Sequence, residues 1–524
     1  MKENRTFTKI VVSALKTLMV LLQTACANKV STGFVLLAEA TTAEEYIKAL
    51  KSQCETLTDD EVTDGIQMLS DKRIEEIRNT PTAVEVTGTK YYVAEEGDDY
   101  NDGLSPEKPW KTLDKVTNAT LNPGDGVFFK RGDIFTGQIM AKAGVTYSAY
   151  GEGEKPRLYA SVKNSADASR WQETEVENIW VYSLPQFNDI GNIVFDGTSN
   201  ARKIYRSVEA DGKCLDYYTK REFYTWKDLK DDLSFYHDED SKVYLKCDKG
   251  NPGELYEEIR LVPEVSVIKV STNNNVTIDN LHIAYGNFGV SAYSNDGLTV
   301  QNCEINWIGG CIQLGAGEYS ASRTFPTPYG NGIEIYGEAK NFTVDNCYIW
   351  QVYDAAMTHQ GGSKGDIAVD NVRYTNNVVE KAVYAIEIFY GNSTIESDVR
   401  SFNGTYIENN ILRMGGGFGH FARPDQGVTA LIRNGGLLDN TTNYVVTNNI
   451  FDRSMAKIIQ AKDDGGSKAM YYDNIYVQQR GLTFANRLGK TYIADEGLAA
   501  LLAETNTENN PTYIVVEELG YDKY

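Results

Sequence analysis

Three acids stand out by their surroundings: Glu334 in "GIEIYGE", Asp354 in "WQVYDAAMTHQGG" and Glu387 in "YAIEIFYGN". Each lies among aromatic rings, with Tyr336 after the first, Trp350 and Tyr353 before the second, and Phe389 and Tyr390 after the third. Cleaving a glycosidic bond takes two carboxyl groups beside it, one protonated and one ionised, and flat rings to hold the sugars. Glu334 and Glu387, with Asp354 as a third member, are therefore expected to form a catalytic set. Tyr336, Trp350, Tyr353, His359 and Tyr390 are expected to contact substrate. So are His420, Arg423 and Asp425 of "GGGFGHFARPDQG", where the glycines let a ligand approach the backbone. For any single acid the competing reading is a solvated surface carboxylate, and for His359 a hydrogen-bonded structural histidine. Clustering favours the set over any one member.

These residues must be held by repeating elements. An apolar residue, a gap, a second apolar residue, a gap and then a bend residue recur as Val276-Ile278-Asn280, Leu298-Val300-Asn302, Phe342-Val344-Asn346 and Ile367-Val369-Asn371. The pattern returns as Thr405-Ile407-Asn409, Tyr444-Val446-Asn448 and Met470-Tyr472-Asn474. Alternation marks short half-buried strands, and recurrence every few dozen residues marks a solenoid whose coils bury their apolar sides by stacking. Asn tolerates the left-handed bend after each strand and can hydrogen-bond from coil to coil. Counting outward from Asn302, Asn346, Asn376 and Asn409 places Gln313, Met357, Glu387 and His420 in one exposed column, with Ile312, Leu314, Ile386 and Ile388 pointing inward.

The stretch from Lys90 to Ala160, "KYYVAEEGDDYNDGLSPEKPWKTLDKV…LNPGDGVFFKRGDIFTGQ…AGVTYSAYGEGEKPRL", resembles the opening coils of bacterial proteins of the pectin-lyase-like superfamily. That resemblance implies an all-β, single-stranded right-handed parallel β-helix over residues 89–490. It also implies a short capping helix after Trp110. The superfamily holds lyases, hydrolases, esterases, epimerases and phage tail proteins, so the resemblance specifies fold more than reaction. Residues 165–260 lack the repeat and read as an inserted β-rich module, with Trp171, Trp180, Tyr217, Tyr218 and Trp226 offering a cleft wall. Residues 28–88 read as a helical segment that caps the first coil or acts as a spacer, and 491–524 as a C-terminal cap.

Gly (45) and Tyr (34) are abundant and Pro (12) is scarce, which suits many short strands. A net charge of -22 opposes nucleic acid and polyanionic glycans as partners and favours a neutral or weakly charged oligosaccharide or polysaccharide. Residues 1–27 read as a signal peptide, basic and then apolar, which implies a secreted or cell-surface protein. Gln23 stands where a leucine usually precedes a lipidated cysteine, so a cleaved leader is preferred to lipid anchoring at Cys26. No other segment is apolar enough to span a bilayer, and a monomer is expected. Cys303 and Cys347 fall at equivalent repeat positions and read as core filler; no spacing offers a zinc site. No cofactor is expected. The loop Asp98–Gly103 has the oxygens for structural calcium but reads better as a metal-free turn. The leading expectation is a glycoside hydrolase. A polysaccharide lyase of the same fold is the alternative, with Arg423 as the one basic residue in the groove motifs, and a non-catalytic adhesin is a third reading.

Overall fold

The computed structural model describes residues 37–53, 57–312, 327–362, 364–390, 395, 397–419, 429–435, 441–461, 469–487, 489–495, 497, 500, 503 and 508–521. The chain winds a right-handed parallel β-helix whose strands stack into three ladders. The first ladder runs from Ile139–Met140 through Ser266–Ser271, Phe288–Asp296 and Ile333–Lys340. It continues in the C-terminal halves of Tyr348–Gly361 and Val378–Tyr390, then Ala430–Asn434, Lys457–Ala461 and Thr483–Arg487. The second ladder begins at Lys90–Val93 and ends at Glu508–Asn509. The third begins at Ile134–Thr136 and ends at Thr512–Val516.

Alternation explains the stacking. Ile333, Ile335, Ile386 and Ile388 turn inward and join an apolar core that runs the length of the solenoid, while the residues between them face out. The bends between second and third ladders adopt left-handed backbone angles at Asn280, Asn302, Asn346, Asn376, Asn409 and Asn448. In the next coil the bend falls on Asp473 (φ 56°), one residue before the Asn474 expected from the repeat. Tyr471, not Tyr472, is the inward partner of Val446 there. Asn474 instead ends an internal ladder of buried amides, Asn377–Asn410–Asn449–Asn474, in which Asn410, Asn449 and Asn474 each accept from the backbone and side-chain amides of the asparagine in the coil before. Cys303 and Cys347 are both buried, their thiols donating to Ile278 O and Val300 O of the preceding coil.

The N-terminal helices α1 (Ala43–Gln53) and α2 (Asp59–Arg78) neither cap the first coil nor act as a spacer. They lie along the third ladder. Val62, Ile66, Leu69, Ile74 and Ile77 cover an outward apolar column of Tyr348, Val378, Ile411, Ile450 and Ile475. Gln67 meets Arg413, Arg73 meets Asn346 and Arg78 meets Glu304, so α2 runs from late coils back toward early ones. Twenty helical residues span about 30 Å, the height of about six stacked strands. The chain thereby arrives where the first strand begins. That end is closed by Trp110 and the short helix α3 (Leu113–Asn118), capped by Thr112.

Seven strands between Trp171 and Pro263 form a separate sheet with its own core. Trp171 is buried in that core and Trp226 stacks on Tyr244 at 4.5 Å, so these rings hold the module together rather than walling a cleft. The module is fastened to the solenoid by Asp189, which accepts from Ile312 N at 2.6 Å and pairs with Lys203 at 2.6 Å. Gly310 (φ 98°) permits the close approach, because a Cβ there would lie 2.4 Å from Gly191 O.

Candidate active site

Strand pairing puts Glu334 and Glu387 in one column on the outside of the first ladder. Reading along the solenoid, Ser291 pairs with Glu334, Glu334 with Thr358, Thr358 with Glu387, Glu387 with Arg433 and Arg433 with Gln460. Two residues further along each strand runs a parallel column of Tyr293, Tyr336, Gln360 and Phe389. Tyr293, Tyr336 and Phe389 are exposed, and the two tyrosine rings stack at 6.1 Å. The two glutamates are two rungs apart, which sets their backbones about 9.6 Å from each other.

The two carboxyls have different environments. Glu334 is buried, and burial pushes its carboxyl up to about 7; amide hydrogens from Asn331 and Gln360 oppose the rise, and the charge of Glu387 adds to it. Glu387 is ion-paired with Nη1 of Arg433, whose guanidinium also lies over the Tyr384 ring. Asn331 ties the site to the next strand: its Nδ2 donates to Glu334 while its Oδ1 accepts from Ala355 N at 2.9 Å. Burial thus disfavours ionisation of one carboxyl, while the other lies against a guanidinium.

Asp354 is buried beside this arrangement, where the chain passes from the third ladder to the first; its backbone N donates to Gly330 O at 3.2 Å. Of the predicted contact residues, Tyr336 faces the groove. Four do not. Trp350 projects from the third ladder between Asn306 and Glu380, on a different side of the solenoid, and donates to Glu304. Tyr353 is buried against Tyr205 of the inserted module. His359 points into the core, where its Nδ1 meets Tyr374 OH at 2.8 Å and burial pulls its pKa down to about 3. Tyr390 is also internal, its hydroxyl donating to Gly337 O. His420, Arg423 and Asp425 lie outside the described residues, as does Gln313.

Two errors of register explain the misplaced neighbours. Val352 pairs with Ala382 but Ala355 pairs with Tyr384, so the strand through Asp354 carries one extra residue. Counting from Asn346 therefore lands on Met357, a core residue, instead of Thr358, the true neighbour of both glutamates. In the next coil the count lands on His420, yet Glu387 pairs with Arg433 because a longer connection intervenes. Arg433 was legible only as the polar residue after the apolar pair Leu431-Ile432. Asn331 and Gln360 carried no sequence signal.

No protein-family model matches the chain. A curated lacto-N-biosidase of Bifidobacterium longum subsp. longum is 27% identical over 212 residues, which cover 38% of this chain. The chain spans only 12% of that relative's length. Among solved structures, a GH136 lacto-N-biosidase from Eubacterium ramulus aligns over 90% of this chain and 74% of its own, at 12% identity and a TM-score of 0.34. A structure described as a glycoside hydrolase aligns over 82% and 96%, at 10% identity and a TM-score of 0.39. The fold assignment rests on the strand pairings themselves.

Proposed function

We propose that this protein is a glycoside hydrolase whose groove lies over the first ladder, with Glu334 as general acid and Glu387 as general base. The observation that carries the reading is the pair itself: two glutamates on one outward column, one raised to about 7 by burial and one paired with Arg433. Protonated Glu334 donates to the leaving oxygen, and ionised Glu387 takes a proton from the attacking water. Carboxyls about 6.5–9.5 Å apart leave room for that water and invert the anomeric centre, whereas about 5 Å favours retention. A two-rung separation favours inversion. The exposed rings of Tyr293, Tyr336 and Phe389 supply stacking surfaces beside the acids. The curated relative's name is in keeping with this reading and makes glycans containing lacto-N-biose the first to screen. The basic and apolar N-terminus supports action outside the cytoplasm.

The test is a screen on labelled neutral glycans, followed by Glu334→Gln and Glu387→Gln on the best substrate. Each amide keeps the shape but cannot exchange the proton, so turnover should fall at least about a hundredfold while the fold and a cooperative unfolding transition are retained. Wild-type rates in both variants would refute the assignment. Proton NMR of the first-formed anomer reads the stereochemistry directly.

A further inference from the structure

The column that carries the glutamates does not end at Glu387. Arg433 pairs with Gln460, and Gln460 with Asn486, each one rung further along the same outward face. These side chains, with Lys490 and Thr491 of the closing hairpin, line a cavity of about 330 Å³. On the outward column itself, two of the buried polar atoms in its lining that lack a hydrogen-bond partner are Nε of Arg433, a donor, and Oε1 of Gln460, an acceptor. Buried polar atoms are rarely left unsatisfied, because each costs roughly 1–3 kcal/mol. A donor and an acceptor about one rung apart, 4.8 Å or so, meet a group that can both accept and donate. Sugar hydroxyls do both. The charge of Arg433 is already met by Glu387, and a carboxylate in this place would leave Gln460 Oε1 unpaired.

We propose that the groove continues past Glu387 into a binding subsite, built on Arg433, Gln460 and Asn486, that takes a neutral hydroxyl-bearing sugar ring next to the bond being cleaved. The subsite rests on the hydrolase reading for its role as a substrate position, and its chemistry rests on the unpartnered atoms alone. The cavity is large enough for one pyranose ring, and the hairpin strand Lys490–Ile493 folds back on Thr483–Arg487 to limit its far side. Substrate bound here would place its linkage over Glu387, with further rings extending toward Tyr336 and Tyr293.

Saturation-transfer NMR on the full chain tests this with D-glucose, D-galactose, D-xylose and sodium D-glucuronate as probes, in the wild type and in Glu334→Gln. At least one neutral sugar should bind both proteins alike. Gln460→Ala should weaken that binding about tenfold, the loss of one hydrogen bond, at an unchanged melting temperature. Asn486→Ala, at the cavity rim, is the second variant should Gln460→Ala fail to fold. The proposal is overturned if no neutral sugar binds, if the folded variants bind as well as wild type, or if glucuronate binds more tightly than glucose. Monosaccharide binding needs no turnover. Retained activity in both Gln variants of the glutamates would thus sink the catalytic assignment without touching this result, and the reverse holds.

Discussion

Glu334 carries the general-acid role in the proposed mechanism, and its burial leaves a measurable trace. Its carboxyl titrates at about 7 when folded against an ordinary 4.5, so between those values the folded chain holds a proton that the unfolded chain has released. Stability from this group is therefore fully present below about pH 4.5 and is lost as pH rises through 7, a total of about 3 kcal/mol. Glu334→Gln should flatten the fall in melting temperature between about pH 5 and 8, because the amide has no proton to lose. Glu508, also raised to about 7 by burial, should leave a residual slope. Thermal melts of both proteins across that range decide the matter; identical slopes would mean that Glu334 is not buried as described. If Glu334 is the general acid proposed, the alkaline limb of kcat/KM in the wild type should fall near pH 7, where its carboxyl loses the proton.

At the scale of the element, the strand and its bend do different work, and substitution separates them. Asn410 is buried between coils; its Oδ1 accepts from Asn377 N at 3.0 Å and its Nδ2 donates to Tyr374 O at 2.8 Å. Asn409, one residue earlier, sits at the left-handed bend with φ 59° and is half-exposed. Asn410→Ala should cost about 3 kcal/mol, since it strands several buried amide groups at once. Asn409→Ala should cost about 1 kcal/mol, chiefly from the bend angle. Urea denaturation compares the two, and equal losses would show that the internal amides do not hold the coils together. The extra residue at Tyr353-Asp354 belongs to this scale as well. By shifting register it brings Thr358, rather than the hydrophobic Met357, between Glu334 and Glu387.

Across the whole molecule, the charge of -22 sets what approaches the groove. Pectate and alginate should therefore not be turned over, and no unsaturated-uronide absorbance should develop with either; its appearance would establish a lyase. The parallel β-helix itself was legible in the sequence. Period-two alternation dictates which side chains turn inward, and Asn at fixed intervals dictates where the chain bends, both being local properties of the backbone. The outward placement of Glu334 and Glu387 was legible for the same reason, since each is a lone charge between two core isoleucines. The alternation could not say which ladder a residue occupies. Trp350 and Thr358 belong to one continuous strand, yet they face different sides of the solenoid because the strand bends between them. Likewise His359 and Tyr390, polar by type, are core residues because each follows an outward neighbour by one. The path of α2 along the third ladder and the pairing of Arg433 with Glu387 depend on contacts between residues far apart in the chain. Local pattern fixes which way each side chain points on its own strand; only the stacking of coils decides which of those side chains meet.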